Sequence, residues 1–524
     1  MKKTISFHLK RNWVLLLILF AGSILRIIGL NAKSIWYDEA CSVDFFQNSW
    51  PEIFSHRYML RPLYFIVLKL WTGLFGYKEF ILRIPSVFFG LCSIFMVYGI
   101  SKKIFNKKVG LFSAFLLSIS GYHIIRSQDA RGYTLLMLLA CVATSIFWNI
   151  IKNKKDYYFA YIIIMILMFL TNFFAAFIIF LLHNLFFLFN EKKHKRWILF
   201  QCLILIASVS IILPFLKYYH LEQYNDKFCP TEYEEVFTNM LEDFSYARKI
   251  NQGGIGNYGV SDISMARKAN YYILISLFIY ALVRYFIENR VKKKLISKEI
   301  IFLLLWVFVP ITVFLITDIF IPISKWSKSA IIILPAFYIL ISVLLTRLSK
   351  KLLITYVLVY TVFSIYSLEY IFSSSNISSW GQITDYVKEN ISEKEMILFT
   401  PAHLLVPFWY YYKYEDKSAF RQIGDGDCGQ FCLVGGKWQM EFSDNTNLIK
   451  GLNFEEVDKA VHEIESLTYN YQGVWLIISP WIREKNMEIL IDRFSQYYLL
   501  ESSKEFPWQS VWLYHFTHRK SGFY

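Results

Sequence analysis

Apolar residues gather in runs of about 20, the length at which a helix crosses the hydrocarbon core of a bilayer. Charged residues fall between the runs and rarely inside them. The pattern predicts eleven transmembrane helices, near residues 12–30, 80–100, 109–125, 132–150, 157–171, 172–190, 197–216, 270–288, 299–317, 329–346 and 352–372. The fifth and sixth runs adjoin at Thr171-Asn172, which predicts a tight helical hairpin.

The segment between the first two runs has a different character. RPLYFIVLKLWTGLFG, residues 61–76, is apolar but short, and it contains Lys69. Counting it as a span would invert the charge pattern of every later loop. We therefore predict juxtamembrane helices within residues 34–79, with the apolar segment lying in the membrane interface and packed against protein.

Beyond residue 372 the long runs give way to short apolar segments separated by polar ones. ITDYVKENI has the spacing of an amphipathic helix, whereas MILFT, VWLIIS and SVWLYHF have the length and composition of strands. Strands that alternate with helices are typical of a small α/β domain. The sequence thus predicts a polytopic α-helical domain at 1–372 and a small α/β domain at 373–524.

Composition supports a membrane protein and argues against a nucleic-acid partner. Hydrophobic residues make up 56% of the 524 residues, more than soluble proteins usually contain. The net charge is +15, yet residues 373–524 contain 14 Lys and Arg against 20 Asp and Glu. The whole excess, +21, therefore lies among the apolar runs of residues 1–372, where it serves membrane topology.

Basic clusters mark every second boundary between the runs. They are Lys2/Lys3/Lys10/Arg11, Lys102/Lys103/Lys107/Lys108, Lys152/Lys154/Lys155, Lys192/Lys193/Lys195/Arg196, Arg290/Lys292/Lys293/Lys294 and Arg347/Lys350/Lys351. Positive residues in short loops stay on the cytoplasmic side. We expect a multi-pass protein of the plasma membrane, the inner membrane in a bacterium, with a cytoplasmic N-terminus and an extracytoplasmic C-terminal domain.

Two further motifs are weaker signals. QGGIGNYG at 252–259 contains a formal G-x-G-x-x-G, but it lies in a predicted outward loop without the strand and helix that dinucleotide binding requires. Cys428 and Cys432 form one close pair without a second pair or histidines, which favours a structural or incidental role over zinc and leaves a local disulfide as the main alternative.

Two adjacent carboxylates, Asp38 and Glu39, stand just outside the first predicted span. Adjacent residues on a helix point in different directions, so we expect at most one of them to address a given atom. Taken alone, an acidic pair in an outward loop is most simply a solvated surface.

Other predicted outward segments carry ionisable residues that could converge on one cavity with this pair. They are Arg61 ahead of the interfacial helix, Asp129, Arg131 and Tyr133 in RSQDARGY, and Asp318, Lys325 and Lys328 between the ninth and tenth spans. Ionisable groups at membrane depth are costly unless paired or functional. By contrast, Arg26 and Arg83 are expected to snorkel towards the interface, and His183 is expected to pack as a neutral side chain.

A carboxylate beside cations at a bilayer surface suits one chemistry well. Arginine binds phosphate through its planar fork, and a carboxylate can take the proton from an attacking hydroxyl. Together they would activate an acceptor and hold the phosphate leaving group of a lipid-linked substrate, the cations acting most as negative charge develops.

These residues lie in segments that resemble a known family. WYDEACSV, RPLYFIVLKLWTGLFGYKEFILRIPSVFFG and SQDARGYTLL, in this order, resemble the multi-pass glycosyltransferases of family 39, the dolichyl-phosphate-mannose protein mannosyltransferase-like group of GT-C fold enzymes. The resemblance is strong over residues 30–140, and KWSKSAIIILPAFYIL and WGQITDYV look like later segments of the family. It implies transfer of one sugar from a polyprenyl-phosphate donor to an acceptor outside the cytoplasm, with inversion.

The resemblance also implies roles for individual residues. Asp38 matches the general base, Glu39 its neighbour in substrate or metal binding, and Asp129 and Arg131 the acidic and basic residues of the second outward loop. Tyr133, Lys325 and Lys328 are candidate contacts of the donor phosphate or substrate.

One departure concerns the head of the interfacial helix. Leu60-Arg61-Pro62 stands where members commonly have His-Pro-Pro or acidic-Lys-Pro. Arg61 would then supply the phosphate contact that lysine makes in some relatives. Leu60 removes an acidic residue that could ligate a metal, so a divalent metal stays open and no other cofactor is expected.

Three other functions compete with this one. An oligosaccharide ligase or transferase would use a polyprenyl-pyrophosphate donor and need a wider cavity. A lipid-linked glycan transporter or flippase would show internal repeats and broken helices near the midplane, and the sequence contains no such repeat. A non-catalytic assembly subunit would tolerate loss of Asp38. The acceptor, whether protein, glycolipid or glycan polymer, is not specified by any motif.

Overall fold

The computed structural model describes most of the helical part of the chain and a sheet near its C-terminus. The described residues are 2–31, 34–47, 50, 62–152, 157–190, 195–213, 272, 276, 279–280, 282–287, 290–291, 296–320, 328–373, 379–392, 395–400, 404–413, 432–434, 440–442, 472–478, 491–492, 494–506 and 511–518. The 252–259 motif, Cys428, Arg61 and Lys325 lie outside them. The predictions for these residues remain predictions.

The chain divides into two compact units. The first consists of Met1–Leu30, Phe45–Lys249 and Asp262–Ser373, and the second of Asn31–Asp44, Ile250–Ser261 and Ser374–Tyr524. The segment Asn31–Asp44, which contains Asp38 and Glu39, therefore belongs to the same unit as the C-terminal residues and not to the unit of the long helices. The assignment of 1–372 and 373–524 to separate domains with separate roles stays a prediction.

Apolar helices make up the described part of the first unit. They are α1 (Lys2–Ile27), α3 (Pro62–Phe75), α4 (Glu79–Ile104), α5 (Lys107–Ser118), α6 (Gly121–Ser127), α7 (Tyr133–Ile151), α8 (Tyr158–Thr171), α9 (Phe173–Asn190), α10 (Lys195–Ile212), α11 (Lys298–Phe320), α12 (Leu334–Leu345) and α13 (Lys350–Ser373). A 3₁₀ helix, Lys328–Ile333, leads into α12, and α2 (Tyr37–Gln47) belongs mostly to the second unit. The predicted class, a polytopic helical membrane protein, is confirmed.

Within the described residues, four helical segments are long and apolar enough to cross a membrane alone. They are Glu79–Ile104, Tyr133–Ile151, Lys298–Thr317 and Lys328–Leu345. Shorter apolar helices fall on four further predicted spans, namely Asn12–Ile27, Tyr158–Thr171, Phe173–Phe189 and Arg196–Ser210. Another, Pro62–Phe75, falls on the segment predicted to lie in the interface rather than to span the membrane. The total of eleven spans stays a prediction, partly because the run at 270–288 is described at only some of its residues.

The predicted hairpin at Thr171-Asn172 is present. Asn172 alone separates α8 from α9, with an extended backbone (φ −161°, ψ 107°). Its side-chain oxygen accepts a hydrogen bond from the amide of Ala175, which caps the start of α9. One residue with capping ability thus reverses the chain direction.

The predicted span at 109–125 is wrong in one respect, because it is not one straight helix. Helices α5 and α6 meet at an angle of 65°. At the break, Ser120 accepts a hydrogen bond from the amide of His123 and so caps α6. A break leaves carbonyl groups at the end of α5 without their usual helical donors, which is costly in a membrane.

Arg26 of α1 supplies donors to that break. Its guanidinium donates to the carbonyl groups of Ser118 (3.0 Å) and Leu117 (3.4 Å) and to Ser127 Oγ (3.2 Å), and it lies 2.6 Å from His123 Nδ1. The side chain is fully buried. The expectation that Arg26 snorkels is therefore wrong, because the broken helix offers acceptors inside the protein.

The opposite contact returns from α6 to α1. The side-chain Nε2 of Gln128, just after α6, donates to the carbonyl oxygens of Arg26 (3.2 Å) and Ile28 (2.9 Å) at the end of α1. Arg83, also expected to snorkel, is buried and donates to the carbonyl of Leu30 (2.7 Å). The carbonyl groups at the ends of α1 and α5 thus accept hydrogen bonds from distant side chains. We call the contacts of Arg26 and Gln128 the α1–α6 clasp.

His183 packs as expected. Its ring nitrogens lie within hydrogen-bonding distance of Thr144 Oγ1 (3.2 Å) and the Tyr161 hydroxyl (2.9 Å), and its ring stacks on Phe147 (4.2 Å between ring centres). Both nitrogens therefore have partners within an aromatic cluster of the helical unit.

The second unit contains a six-stranded sheet. Its strands are β1 (Glu395–Thr400), β2 (Cys432–Val434), β3 (Met440–Phe442), β4 (Gly473–Ile478), β5 (Tyr498–Phe506) and β6 (Val511–His518). The order is β3-β2-β1-β4-β6-β5, with β1 and β4 parallel and the other neighbours antiparallel. Three of these strands are the predicted segments MILFT, VWLIIS and SVWLYHF.

Two helices, α14 (Ser379–Asn390) and α15 (Leu405–Lys413), pack against this sheet. Trp380, Ile383 and Val387 of α14 recur every three or four residues and are buried in the core, as is Phe408 of α15. The small α/β domain predicted from the sequence is confirmed.

A buried carboxylate joins three parts of the second unit. Glu395, at the start of β1, accepts hydrogen bonds from the Ser392 amide (2.8 Å) and Trp475 Nε1 (3.0 Å) and lies 2.7 Å from His515 Nε2. Burial alone raises the pKa of Glu395, but the hydrogen bonds from Ser392, Trp475 and His515 outweigh it and hold the pKa below its ordinary value.

We expect the sheet to lose stability as the pH falls below the ordinary pKa of a glutamate and Glu395, whose pKa is lower still, takes up a proton. A carboxyl group with a lowered pKa stabilises the folded state above its unfolded pKa, and this contribution disappears as the pH falls through the folded value. Hydrogen-exchange mass spectrometry of β4, corrected for intrinsic exchange rates, should show this loss of protection.

Glu395→Gln should reduce protection of β4 at pH 7 and weaken its dependence on pH. Glu505→Gln removes a carboxylate from an exposed position on β5 and serves as the matched control. Equal pH profiles for wild type and Glu395→Gln would contradict the role given to Glu395.

Removal of the Arg26 guanidinium should open the α5–α6 break. In Arg26→Met the Ser118 carbonyl loses its donor from Arg26, at about 1–3 kcal/mol for a buried group left without a partner, whereas the Leu117 carbonyl keeps the amide of Ser120 (3.3 Å). We expect the free energy of local opening across residues 119–132 to fall by roughly 1–3 kcal/mol, measured by hydrogen exchange in lipid nanodiscs.

Lys103→Met is the matched control. Lys103 also donates to a helix carbonyl, that of Ser145 (2.6 Å), but this bond lies at the C-terminal end of α4 and not at the α5–α6 break. It should leave exchange across 119–132 unchanged. Unchanged exchange there in Arg26→Met would show that the clasp does not hold the break.

Candidate active site

The acidic pair lies in the first turn of α2. Asp38 is half-buried, whereas Glu39 is fully buried. Negative charge in a first turn is favoured by the helix dipole, and the hydroxyl of Ser42 donates to the Asp38 carbonyl one turn later (2.9 Å). As expected for neighbours on a helix, the two carboxylates have different surroundings, and Asp38 is the more accessible.

A buried ion pair joins the last turn of α6 to the loop that follows it. Arg126 Nη1 donates to Asp129 Oδ2 at 2.8 Å, and about 5% of each side chain is exposed. The guanidinium also lies 5.2 Å from the ring centre of Tyr122 and 5.5 Å from that of Tyr133. The sequence analysis did not single out Arg126, although Arg and Asp three residues apart are neighbours on a helical turn.

Tyr133 contacts a second cation. Lys328 Nζ lies 5.8 Å from the centre of the Tyr133 ring, which is also near Arg126. A ring face attracts cations at such distances. The Tyr133 ring, at the N-terminal end of α7, therefore lies near two cations, Lys328 of the 3₁₀ helix and Arg126 of α6.

The backbone of Lys328 is held by its neighbours. The Tyr122 hydroxyl donates to the Lys328 carbonyl (3.4 Å), and the side-chain Nδ2 of Asn172 donates to Ser329 Oγ (3.0 Å). Asn172, the residue between α8 and α9, thus also orients the start of the 3₁₀ helix.

Arg131 occupies the next part of the same loop. Its amide donates to the Asp129 carbonyl (2.7 Å), and its own carbonyl accepts from Ser86 Oγ (3.1 Å). Its guanidinium lies 6.0 Å from the ring centre of Phe65 in α3. The Arg131 backbone is therefore fixed, while its half-buried side chain lies near Phe65 of α3.

Gly132 permits the close approach of this loop to α3. A Cβ atom there would lie 3.0 Å from the Cβ of Tyr64, closer than ordinary contact. The Tyr64 hydroxyl lies 2.7 Å from Ser86 Oγ, and Thr134 donates to the Ser86 carbonyl (2.9 Å). Together with the α1–α6 clasp, these contacts fix both ends of the loop.

Three of the predicted site residues come together in the first unit, because Asp129 and Tyr133 contact Arg126 and Lys328 contacts Tyr133. Arg131 lies in the loop beside them, with its guanidinium near Phe65. Arginine and lysine side chains suit an anion such as phosphate. Asp38 and Glu39 lie in the second unit, Arg61 and Lys325 lie outside the described residues, and the side chain of Asp318 is not described.

The residues described here offer no group of three or more His, Cys, Asp or Glu side chains that could hold a metal ion. The acidic pair by itself does not make a metal site. The divalent metal left open by the sequence remains an untested expectation.

A family model matches the part of the chain that contains this loop. Residues 61–218 match the dolichyl-phosphate-mannose-protein mannosyltransferase family. The match includes α3, the clasp residue Gln128 and the whole of RSQDARGY. No curated protein sequence matches the chain.

Solved structures show a similar fold over nearly the whole chain. ArnT from Cupriavidus metallidurans in the apo state has a TM-score of 0.56 at 12% identity, covering 97% of this chain and 98% of that chain. ArnT bound to undecaprenyl phosphate has a TM-score of 0.55 at 13% identity, covering 96% and 98%.

An archaeal protein has a similar fold as well. The oligosaccharyltransferase AglB from Archaeoglobus fulgidus, in complex with an inhibitory peptide and a dolichol-phosphate, has a TM-score of 0.52 at 12% identity, covering 98% of this chain and 75% of that chain. Residues 61–218 thus match the dolichyl-phosphate-mannose-protein mannosyltransferase family, and the chain has the GT-C fold of membrane glycosyltransferases.

Proposed function

We propose that the protein is an integral-membrane glycosyltransferase that moves a sugar from a polyprenyl-phosphate donor to an acceptor outside the cytoplasm. The observation that carries this proposal is the family match over 61–218, which contains the cationic loop at 126–133. The likeness in fold to ArnT, a protein solved with undecaprenyl phosphate, supports a lipid phosphate as the carrier.

The proposed orientation follows from the basic clusters. With the N-terminus cytoplasmic, the turns after α6 and before α12 face outward, and so does the second unit. A lipid-linked donor would then present its phosphate at the outer bilayer surface, at the level of Arg131 and Lys328.

Asp38 is the proposed general base. Its carboxylate takes the proton from an acceptor hydroxyl while the hydroxyl oxygen bonds to the anomeric carbon of the sugar. The bond from that carbon to the phosphate oxygen breaks, and the lipid phosphate leaves with the bonding electron pair. Attack opposite the leaving group inverts the anomeric configuration.

Arg131 and Lys328 are the proposed contacts of the leaving phosphate. Cations placed where negative charge develops stabilise the transition state more than the ground state. Arg126 is already paired with Asp129, so we assign this pair to shaping the loop, with Tyr133 between the cations. Glu39, which is buried, supports the helix that carries Asp38, and Arg61 is a further candidate for the phosphate contact.

An oligosaccharide transferase with a pyrophosphate donor is the second candidate, and the likeness in fold to AglB, an oligosaccharyltransferase, supports transfer of an oligosaccharide. The likeness in fold to ArnT, which was solved with the monophosphate lipid undecaprenyl phosphate, supports the first candidate instead. Release of polyprenyl phosphate rather than pyrophosphate during turnover would distinguish the two enzymes. A transporter, flippase or assembly subunit would release neither.

The sugar and the acceptor are best identified together. Mass spectrometry of surface glycans, glycolipids and glycoproteins from cells with and without the chain should reveal the loss of one defined sugar. The corresponding labelled undecaprenyl-phosphate sugar is then the donor for assays of purified protein.

Asp38→Asn should abolish sugar transfer while the protein stays folded and inserted in the membrane. The amide has nearly the shape of the carboxylate but cannot accept the proton, so we expect kcat to fall by about 10²–10⁴-fold. Transfer of labelled sugar from the lipid to the acceptor fraction measures the effect.

Asp385→Asn makes the same change at an exposed position of α14 and should transfer sugar at the wild-type rate. Near-wild-type transfer by Asp38→Asn, with the protein intact, would refute the assignment of the base.

Arg131→Ala should weaken binding of the lipid phosphate. A hydrogen bond to a charged group contributes about 1.5–3 kcal/mol, so the Kd for undecaprenyl phosphate should rise roughly tenfold to a hundredfold. Native mass spectrometry or a fluorescence competition assay in nanodiscs would measure it.

Undecaprenol, which has no phosphate, is the ligand control, and Lys78→Ala at an exposed lysine after α3 is the matched variant. Neither should show the effect. An unchanged Kd in Arg131→Ala would place the phosphate contact elsewhere.

A further inference from the structure

The segment ahead of Asp38 is bonded to residues near the other end of the chain. The amide of Ile35 donates to the hydroxyl oxygen of Tyr411 at 2.7 Å, across 376 residues of sequence. The amide of Trp380 donates to Ser34 Oγ at 3.2 Å, across 346 residues. All four residues belong to the second unit.

Both bonds are made by buried groups that need partners. Ile35 is fully buried and Ser34 is 5% exposed. A buried backbone amide without a partner costs about as much as a lost hydrogen bond. The Trp380 amide lies in the first turn of α14, where helical amides have no partner in their own helix, so Ser34 caps this helix from a distant part of the chain.

Helix α2, which contains the acidic pair, starts directly after these two hydrogen bonds of Ser34 and Ile35, which we call the tie. The amide of Ala40 donates to the carbonyl of Trp36, which closes the first turn of α2 (2.9 Å). Only two residues separate Ile35 from Asp38. A tie at Ile35 therefore restricts both the position and the direction of the turn that presents the Asp38 carboxylate.

The other side of the tie is rigid. Tyr411 lies on α15, whose Phe408 is buried in the core and stacks edge-on against Phe399 of β1 (5.1 Å between ring centres). Trp380 belongs to the same core through α14. A site held by packed elements keeps its geometry better than one held by a loop alone.

We propose that Tyr411 and Ser34 are positioning residues for the general base, and that the C-terminal unit contributes to catalysis by holding the Asp38 turn. This inference rests on the proposed function in one respect, the assignment of Asp38 as the base. It gives the C-terminal unit a role in the rate of the reaction, separate from any choice of acceptor.

Tyr411→Phe removes one hydroxyl group and keeps the ring. We expect kcat for sugar transfer to fall roughly tenfold to a hundredfold, since small displacements of a reacting group have effects of this size. The KM for the donor should change by less than about twofold, because the proposed phosphate contacts are unaltered. Hydrogen exchange of a peptide covering 34–43 should increase in nanodiscs.

Tyr386→Phe is the matched control. The ring of Tyr386 lies edge-on to Trp475 and Phe506 and 3.8 Å from Lys504 Nζ, contacts that phenylalanine can keep. It should retain wild-type kcat and wild-type exchange across 34–43. Ser34→Ala should resemble Tyr411→Phe, whereas Ser34→Thr, which keeps the hydroxyl group, should recover most of the activity.

The outcomes separate this inference from the proposed function. Unchanged exchange across 34–43 in Tyr411→Phe and Ser34→Ala would overturn the inference, as would wild-type kcat in these variants while Asp38→Asn is inactive. Wild-type transfer by Asp38→Asn would instead overturn the base assignment, and the exchange measurements would not be affected by it.

Discussion

A carbonyl group within a bilayer must find a donor inside the protein, and much of the first unit follows from how this requirement is met at one helix break. The chain bends by 65° between α5 and α6. Arg26, buried on α1, donates to the carbonyl groups at the bend. The side chain of Gln128 in turn donates to carbonyl groups at the end of α1. The loop that follows α6 therefore starts from a fixed point, although it lies outside any regular helix.

The same loop shows how buried charge is arranged for a site. Arg126 and Asp129 neutralise each other inside the protein, where an isolated charge would be costly. Arg131 and Lys328 are both half-buried. The loop thus contains one ion pair that stabilises its shape and one half-buried cation, Arg131, while the second half-buried cation, Lys328, comes from the 3₁₀ helix. This division is difficult to recognise from the sequence, where all four residues are simply charged.

The sequence predicted those features that depend on local pattern. The length of the apolar runs identified the helices, short apolar segments of strand length and composition identified three of the strands, and the family-like motifs marked RSQDARGY. It failed where distant groups decide. Arg26 and Arg83 were expected to snorkel because a hydropathy pattern does not show a helix break or its free carbonyl groups. Strands β2 and β3, of three residues each, are too short to stand out. The bonds from Ser34 and Ile35 to the C-terminal helices have no local signal at all.

The bond between Ile35 and Tyr411 also has a consequence for biosynthesis. A ribosome adds about 5–20 residues per second, so roughly 20–75 s separate the emergence of the two partners. Throughout this interval α1 can already be inserted, while the turn that carries Asp38 has no permanent anchor. A nascent or truncated chain that ends before α15 therefore lacks the bond that holds Ile35 ahead of the acidic turn. If that bond positions Asp38 as proposed, full activity appears only when synthesis is nearly finished.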